Sequence, residues 1–180
     1  MTSFTAAIHK KYKIVAQNQK ITGGISLQPL YHFTSVKSAS DILKSDKLKS
    51  VDGPYGGLIS FTRDKRYDLV SSGASGKGRG VRIEFDKNKL SSKFSIRPYN
   101  YWTTDKSRSG NESEERIKAR RIDSVSKYIT EITVMWGLPD FSKQWPKSDY
   151  DDAVSEYKEL AELSEKKNIK FSIREGVKVN

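Results

Sequence analysis

The 180-residue sequence predicts an α+β domain. Apolar residues recur with a period of two at several places, most plainly in "VRIEFD", where Val81, Ile83 and Phe85 alternate with Arg82, Glu84 and Asp86,. Helical periodicity is strong in only two stretches, "VKSASDILKS" and "DYDDAVSEYKELAELSEKKN",. Turns and irregular polar segments separate the strand-like runs, and regular crossover helices do not, which argues against a doubly wound parallel sheet.

Taken in order, residues 1–28 form a basic leader, with Lys10, Lys11, Lys13 and Lys20, no acid, and Phe4, Ile8, Tyr12 and Val15 at spacings that suit a short helix,. Residues 29–180 are the domain proper. "PLYHFTS" reads as a strand ending at a helix start, since Tyr31 and Phe33 favour a pleated surface and Thr34 or Ser35 can cap a helix beginning at Val36,. That helix puts Val36, Ala39, Ile42 and Leu43 on one face and should stop near Ser45,. "DGPYGG" is turn chemistry. "LISFTRD" is a strand, with Ser60 and Thr62 on the face opposite Ile59 and Phe61,. The glycine-rich "SSGASGKGRG" lacks a Walker pattern and leads into a strand instead of a helix, so it reads as a mobile loop,.

"FSI" is a short strand, "NESEERIKARRIDSV" is helical or looped, and "KYITEITVMW" is a strand by Ile129, Ile132, Val134 and Trp136,. An acidic amphipathic helix then spans 149–167, with Val154, Tyr157, Leu160 and Ala161 inward, and "IKFSIRE" closes the chain as a strand,.

Composition narrows function by exclusion. The chain has no cysteine, which rules out disulfides, thiolate zinc sites and cysteine nucleophiles,. His9 and His32 are its two histidines and neither sits at a ligand spacing, so no metal site is expected beyond the open case of carboxylates holding magnesium,. The absence of a G-x-S-x-G elbow argues against a serine hydrolase. No apolar run reaches the ~20 residues of a membrane helix, and the expected location is the cytoplasm. The net charge is +11, yet residues 140–165 carry 3 Lys and Arg against 8 Asp and Glu, so the rest of the chain is strongly basic. Such a field gathers anions: DNA or RNA, a dinucleotide, or an acidic protein.

Three places could carry chemistry: His32 at the end of the first strand, "SFT" at 60–62 on the second, and Glu112, Glu114 and Glu115 before a later strand. Each has a plain alternative. A histidine beside aromatics is often just packed, the serine and threonine suit a strand's wet face, and Glu112–Arg116 and Glu114–Lys118 suit i, i+4 pairs on a solvated helix.

In their order the stretches "LYHFTS", "LISFTRD" and "NESEERI" resemble the ADP-ribosyltransferase superfamily, over residues 29 to 137. The likeness is to bacterial and phage-type members, including DNA-targeting toxins. It implies a single domain with a split β-sheet core and flanking helices, and NAD as the substrate that donates ADP-ribose to a nucleic acid or protein. It also implies roles: Glu114 on the 2′-hydroxyl of the nicotinamide ribose, Glu112 orienting or deprotonating the acceptor, and His32 anchoring a ribose hydroxyl with Thr34 beside it. Ser60 and Thr62 would support the ribose or the glutamate, Arg63 would meet the pyrophosphate, and Tyr31, Tyr55 or Tyr67 would stack on nicotinamide. The alternatives are a non-catalytic module whose Arg120, Arg121 and other cations track a phosphate backbone, and a member that kept the fold and lost turnover, such as a phage protein acting on its host.

Overall fold

The computed structural model describes residues 28–50, 57–65, 80–98, 114–135 and 147–173. The expected leader helix, the glycine-rich loop, Glu112, Tyr55 and Tyr67 lie outside them.

The chain runs β1 (Leu30–Ser35), α1 (Val36–Ser45), β2 (Lys47–Lys49), β3 (Leu58–Thr62), β4 (Gly80–Phe85), α2 (Lys87–Ser91), β5 (Ile96–Pro98), β6 (Glu114–Lys118) and β7 (Arg121–Asp123). A 3-10 turn (Val125–Tyr128), β8 (Ile129–Val134), α3 (Lys147–Lys166) and β9 (Lys170–Ile173) complete it. Ser35 starts α1, its Oγ accepting from the Ser38 amide at 3.1 Å. Asp46 ends the helix in the left-handed region at φ 53, and its carboxylate accepts from the Ser126 amide at 2.9 Å.

The described strands build one sheet in the order β5-β6-β3-β1-β4-β8-β9, with β2 and β7 forming a separate ribbon. All neighbours are antiparallel except β8 and β9, which α3 connects as a crossover. This is the expected α+β class. α3 packs on α1 and β9, and Lys44 reaches Glu159 at 2.7 Å.

Side chains alternate across a strand, and residues in register share a face. One face of the sheet is therefore apolar: Leu30, Ile59, Phe61, Val81, Ile83, Phe85, Ile117, Ile132, Val134 and Phe171 are buried in a single core. Phe61 on β3 and Phe85 on β4 have β1 between them, roughly two strand spacings, about 10 Å, of backbone. Their rings still meet edge to face at 5.2 Å, so large side chains close over β1 on this side. The other face is polar. There Arg82, 8% exposed, bonds Thr133 Oγ1 at 3.0 Å and the Lys65 carbonyl at 3.3 Å, and lies 5.6 Å from the Tyr31 ring.

Two expectations need correction. Glu114–Lys118 is a strand, neither helix nor loop, because β6 is paired on both sides, by β3 and β5, and those ladders outweigh weak i, i+4 pairs,. The short strand expected at "FSI" is displaced to Ile96–Pro98, since Phe94 turns away to pack on Tyr128 at 6.1 Å.

Candidate active site

Register decides which of the candidate residues meet. His32 pairs with Ile83 on β4, and the β1–β3 pair Tyr31–Thr62 sets His32 beside Phe61. Phe61 in turn is opposite Glu115 on β6. His32, Phe61 and Glu115 thus form one row on the apolar face, with the His32 and Phe61 rings 6.2 Å apart. Thr34, two residues on from His32, shares that face and is half-buried,.

Glu114 lies on the opposite face, directly across from Thr62, with Arg116 Nε at 2.9 Å. The Ser60 side chain is on that face too, opposite Arg116. His32, Ser60, Thr62 and Glu114, expected to serve one site, are therefore divided between the two faces. The cause is the two-residue period of the strand, which sends adjacent glutamates to opposite sides. Tyr31 is likewise buried on the polar face against Arg82, away from His32.

His32 Nδ1 is 3.1 Å from the Ser60 carbonyl. A carbonyl only accepts, so Nδ1 carries the proton and Nε2 is left as an acceptor when the ring is neutral. Burial lowers the His32 pKa from its ordinary 6.5, and the bond to Ser60 only partly offsets this. The ring is neutral at pH 7, with Nε2 able to accept a hydrogen bond from a hydroxyl,. The lowered pKa has a stability consequence. Below pH 6.5 the unfolded chain binds a proton at this histidine that the folded chain does not yet take up, so stability falls as pH drops through that window,. Denaturant titrations from pH 7.5 to 5 should show a His32 contribution of at most about 1.4 kcal/mol per pH unit, absent in His32→Asn.

Glu115 supplies the opposing charge. Its side chain is 10% exposed, and both carboxylate oxygens are 2.7 Å from Lys87 Nζ. Arg63 Nε stands 3.4 Å away and is half exposed. Two cations against one carboxylate leave this corner positive. Arg63 thus joins the His32 face, while Thr62 Oγ1, beside it in sequence, instead accepts from the Asp64 amide at 3.0 Å.

The sequence motif favours Glu114 over Glu115 and gives no sign of Lys87. For Glu115 a signal is present: once "EERIK" is taken as a strand, Ile117 inward requires Glu115 inward. For Lys87 there is none, because its contact with Glu115 spans 28 residues.

No protein-family model matches the chain, and no curated protein does. Among solved structures it is similar to Thermus sp. 2.9 DarT in complex with carba-NAD+, at TM-score 0.50 and 12% identity, covering 84% of this chain and 97% of that one. The fold is ADP-ribosyltransferase-like. DarT is also matched in complex with NAD+ (TM-score 0.49, 13% identity, 85% and 98% covered) and with ADP-ribosylated ssDNA (0.48, 14%, 82% and 94%). At such identities the shared property is the fold alone, here one seven-stranded sheet of the described strands with flanking helices, in place of the expected split sheet. Among the described residues, no helix is long and apolar enough to cross a membrane.

Proposed function

We propose that the protein cleaves NAD at the nicotinamide–ribose bond and transfers ADP-ribose to a macromolecular acceptor. The observation that carries this reading is the placement of His32 and Glu115 in one row of an ADP-ribosyltransferase-like sheet, with Arg63 3.4 Å from Glu115. The carba-NAD+ bound to DarT supports NAD as the donor.

The chemistry is set by the groups. When the bond from ribose C1′ to the nicotinamide nitrogen breaks, its electron pair neutralises the pyridinium and C1′ becomes oxocarbenium-like. A carboxylate placed beside the sugar stabilises charge that exists only in the transition state. Glu115 takes this role in place of Glu114, because Glu115 shares the His32 face. His32 Nε2 accepts from a ribose hydroxyl and Thr34 flanks it. With Lys87 engaged on Glu115, the half-exposed Arg63 is the cation that suits the diphosphate,. An acceptor atom then bonds to C1′ and its proton leaves to a base.

For the acceptor we propose a nucleic acid. Lys49 and Arg121 stand directly opposite on the β2–β7 ribbon, both exposed, with exposed Arg120 next to them. Asp123 pairs with Arg121, its Oδ2 3.1 Å from Arg121 Nε, which leaves Lys49 and Arg120 as the excess positive charge that a phosphate backbone would meet,. Lys49→Glu with Arg120→Glu should weaken oligonucleotide binding and make the slope of log K against log salt shallower by roughly 1.4 to 1.8, measured by fluorescence anisotropy. An unchanged slope would remove the ribbon from the interface.

The deciding experiment incubates the protein with NAD labelled in the adenosine half, with and without oligonucleotide. Expected are nicotinamide release and label transfer to the strand. Oligonucleotide binding that ignores NAD, with no release, would favour the non-catalytic module instead.

A further inference from the structure

Glu115 occupies a costly position. It sits on the apolar face between Ile117 and the β3 residue Phe61, with Pro98 opposite on β5, and none of these side chains offers it a hydrogen bond. A carboxylate so enclosed needs compensation from a fixed partner. Arg63 is a weak candidate, at 3.4 Å on a half-exposed side chain. Lys87 is a strong one. Its side chain is 18% exposed, and its ammonium lies 2.7 Å from each oxygen.

The backbone of Lys87 is also fixed. It is the first residue of α2, and the preceding Asp86 caps the helix, Oδ1 accepting from the Lys89 amide at 3.1 Å. The Asp86 amide donates to the Tyr128 carbonyl at 2.8 Å. The chain thus turns off β4 in one defined direction and delivers a cation over the sheet to β6. A lysine in a helix's first turn runs against the dipole preference for acids there. Local rules broken without local gain are expected where a residue serves a site.

We propose that Lys87 is a positioning residue: it holds the Glu115 carboxylate in one rotamer, facing the row that contains His32. This rests on the assignment of Glu115 above. The ammonium touches both oxygens from one side, leaving their remaining lone pairs for the ribose hydroxyl and the charge that develops at C1′. Without it the carboxylate would swing towards the more exposed Arg63 and out of line with the sugar.

The test uses the full chain and NAD, with nicotinamide release as the readout, in Lys87→Met, Lys87→Gln and Lys87→Arg. Methionine keeps the apolar stem and removes the charge, and thermal unfolding of all three separates loss of fold from loss of position. Expected is a fall in kcat of about 10- to 100-fold in the Met and Gln variants with KM within about twofold, since misplacement acts on the transition state more than on binding. Lys87→Arg should recover most of kcat, having a charge and two donors for the same oxygens. A folded Lys87→Met with kcat within about twofold of wild type, or with raised kcat, overturns the proposal while Glu115→Gln still reports on the site. An equal loss in Lys87→Arg and Lys87→Met would also overturn it. A wild-type protein that releases no nicotinamide removes the site assignment and this role together.

Discussion

Glu115→Gln should lower nicotinamide release by about 10²- to 10³-fold, mostly in kcat, while Glu114→Gln stays within about twofold of wild type. Glutamine keeps the shape and one acceptor oxygen, so what is lost is the negative charge that pairs with the oxocarbenium-like centre. The expected stability cost is about 1–3 kcal/mol, because Lys87 loses its buried partner, against a typical total of about 5–15 kcal/mol,. The variant should therefore remain folded at 25 °C and bind NAD with little change. The comparison with Glu114 makes the test sharp. The two residues are adjacent and chemically identical, and differ only in the face they occupy. Loss of turnover in Glu114→Gln with Glu115→Gln unaffected would place the chemistry on the polar face, beside Thr62, and would overturn the register argument.

That pair also shows what the sequence could and could not reveal. The strands at Leu30–Ser35, Leu58–Thr62, Gly80–Phe85 and Ile129–Val134 were legible because each alternates against an apolar core with little competing local preference,. So were α1 and α3, whose apolar stripes keep helical spacing. "NESEERIKARR" was not. Its acids and bases suit a helix locally, and only pairing with β3 and β5, formed at long range, makes Glu114–Lys118 extended. Once that element is misread, the face of each glutamate is misread with it, and Glu114 is chosen over Glu115. The short elements β2, β7 and α2 carry three to five residues each, too few for any period to register,. Lys87 lies in one of them, so its meeting with Glu115 belongs to tertiary geometry alone. His32 was found from sequence, but its hydrogen bond to Ser60 was not, and that bond is what frees Nε2.

Phe85→Ala should destabilise the protein by about 3–5 kcal/mol, the largest stability effect of any single truncation argued from this core. Phe85 is fully buried at the end of β4, in register with Leu30 on β1 and touching Phe61 edge to face at 5.2 Å. Truncation removes the transfer energy of the ring and leaves a cavity that flanking strands cannot close without breaking their ladders. It also removes the support of Phe61, the residue that stands between His32 and Glu115 in the row across the sheet. For a chain of this size the melting temperature should fall by about 10 °C, and the denaturant midpoint should drop with an unchanged m-value. Nicotinamide release measured well below that melting temperature should fall as well, because a tilted Phe61 changes the spacing of the two groups it separates. Phe85→Leu, which keeps most of the apolar volume, should show less than about half of the stability loss. A Phe85→Ala protein as stable as wild type would mean that the rings do not pack over β1, and the support they give to the row of His32, Phe61 and Glu115 would go with it.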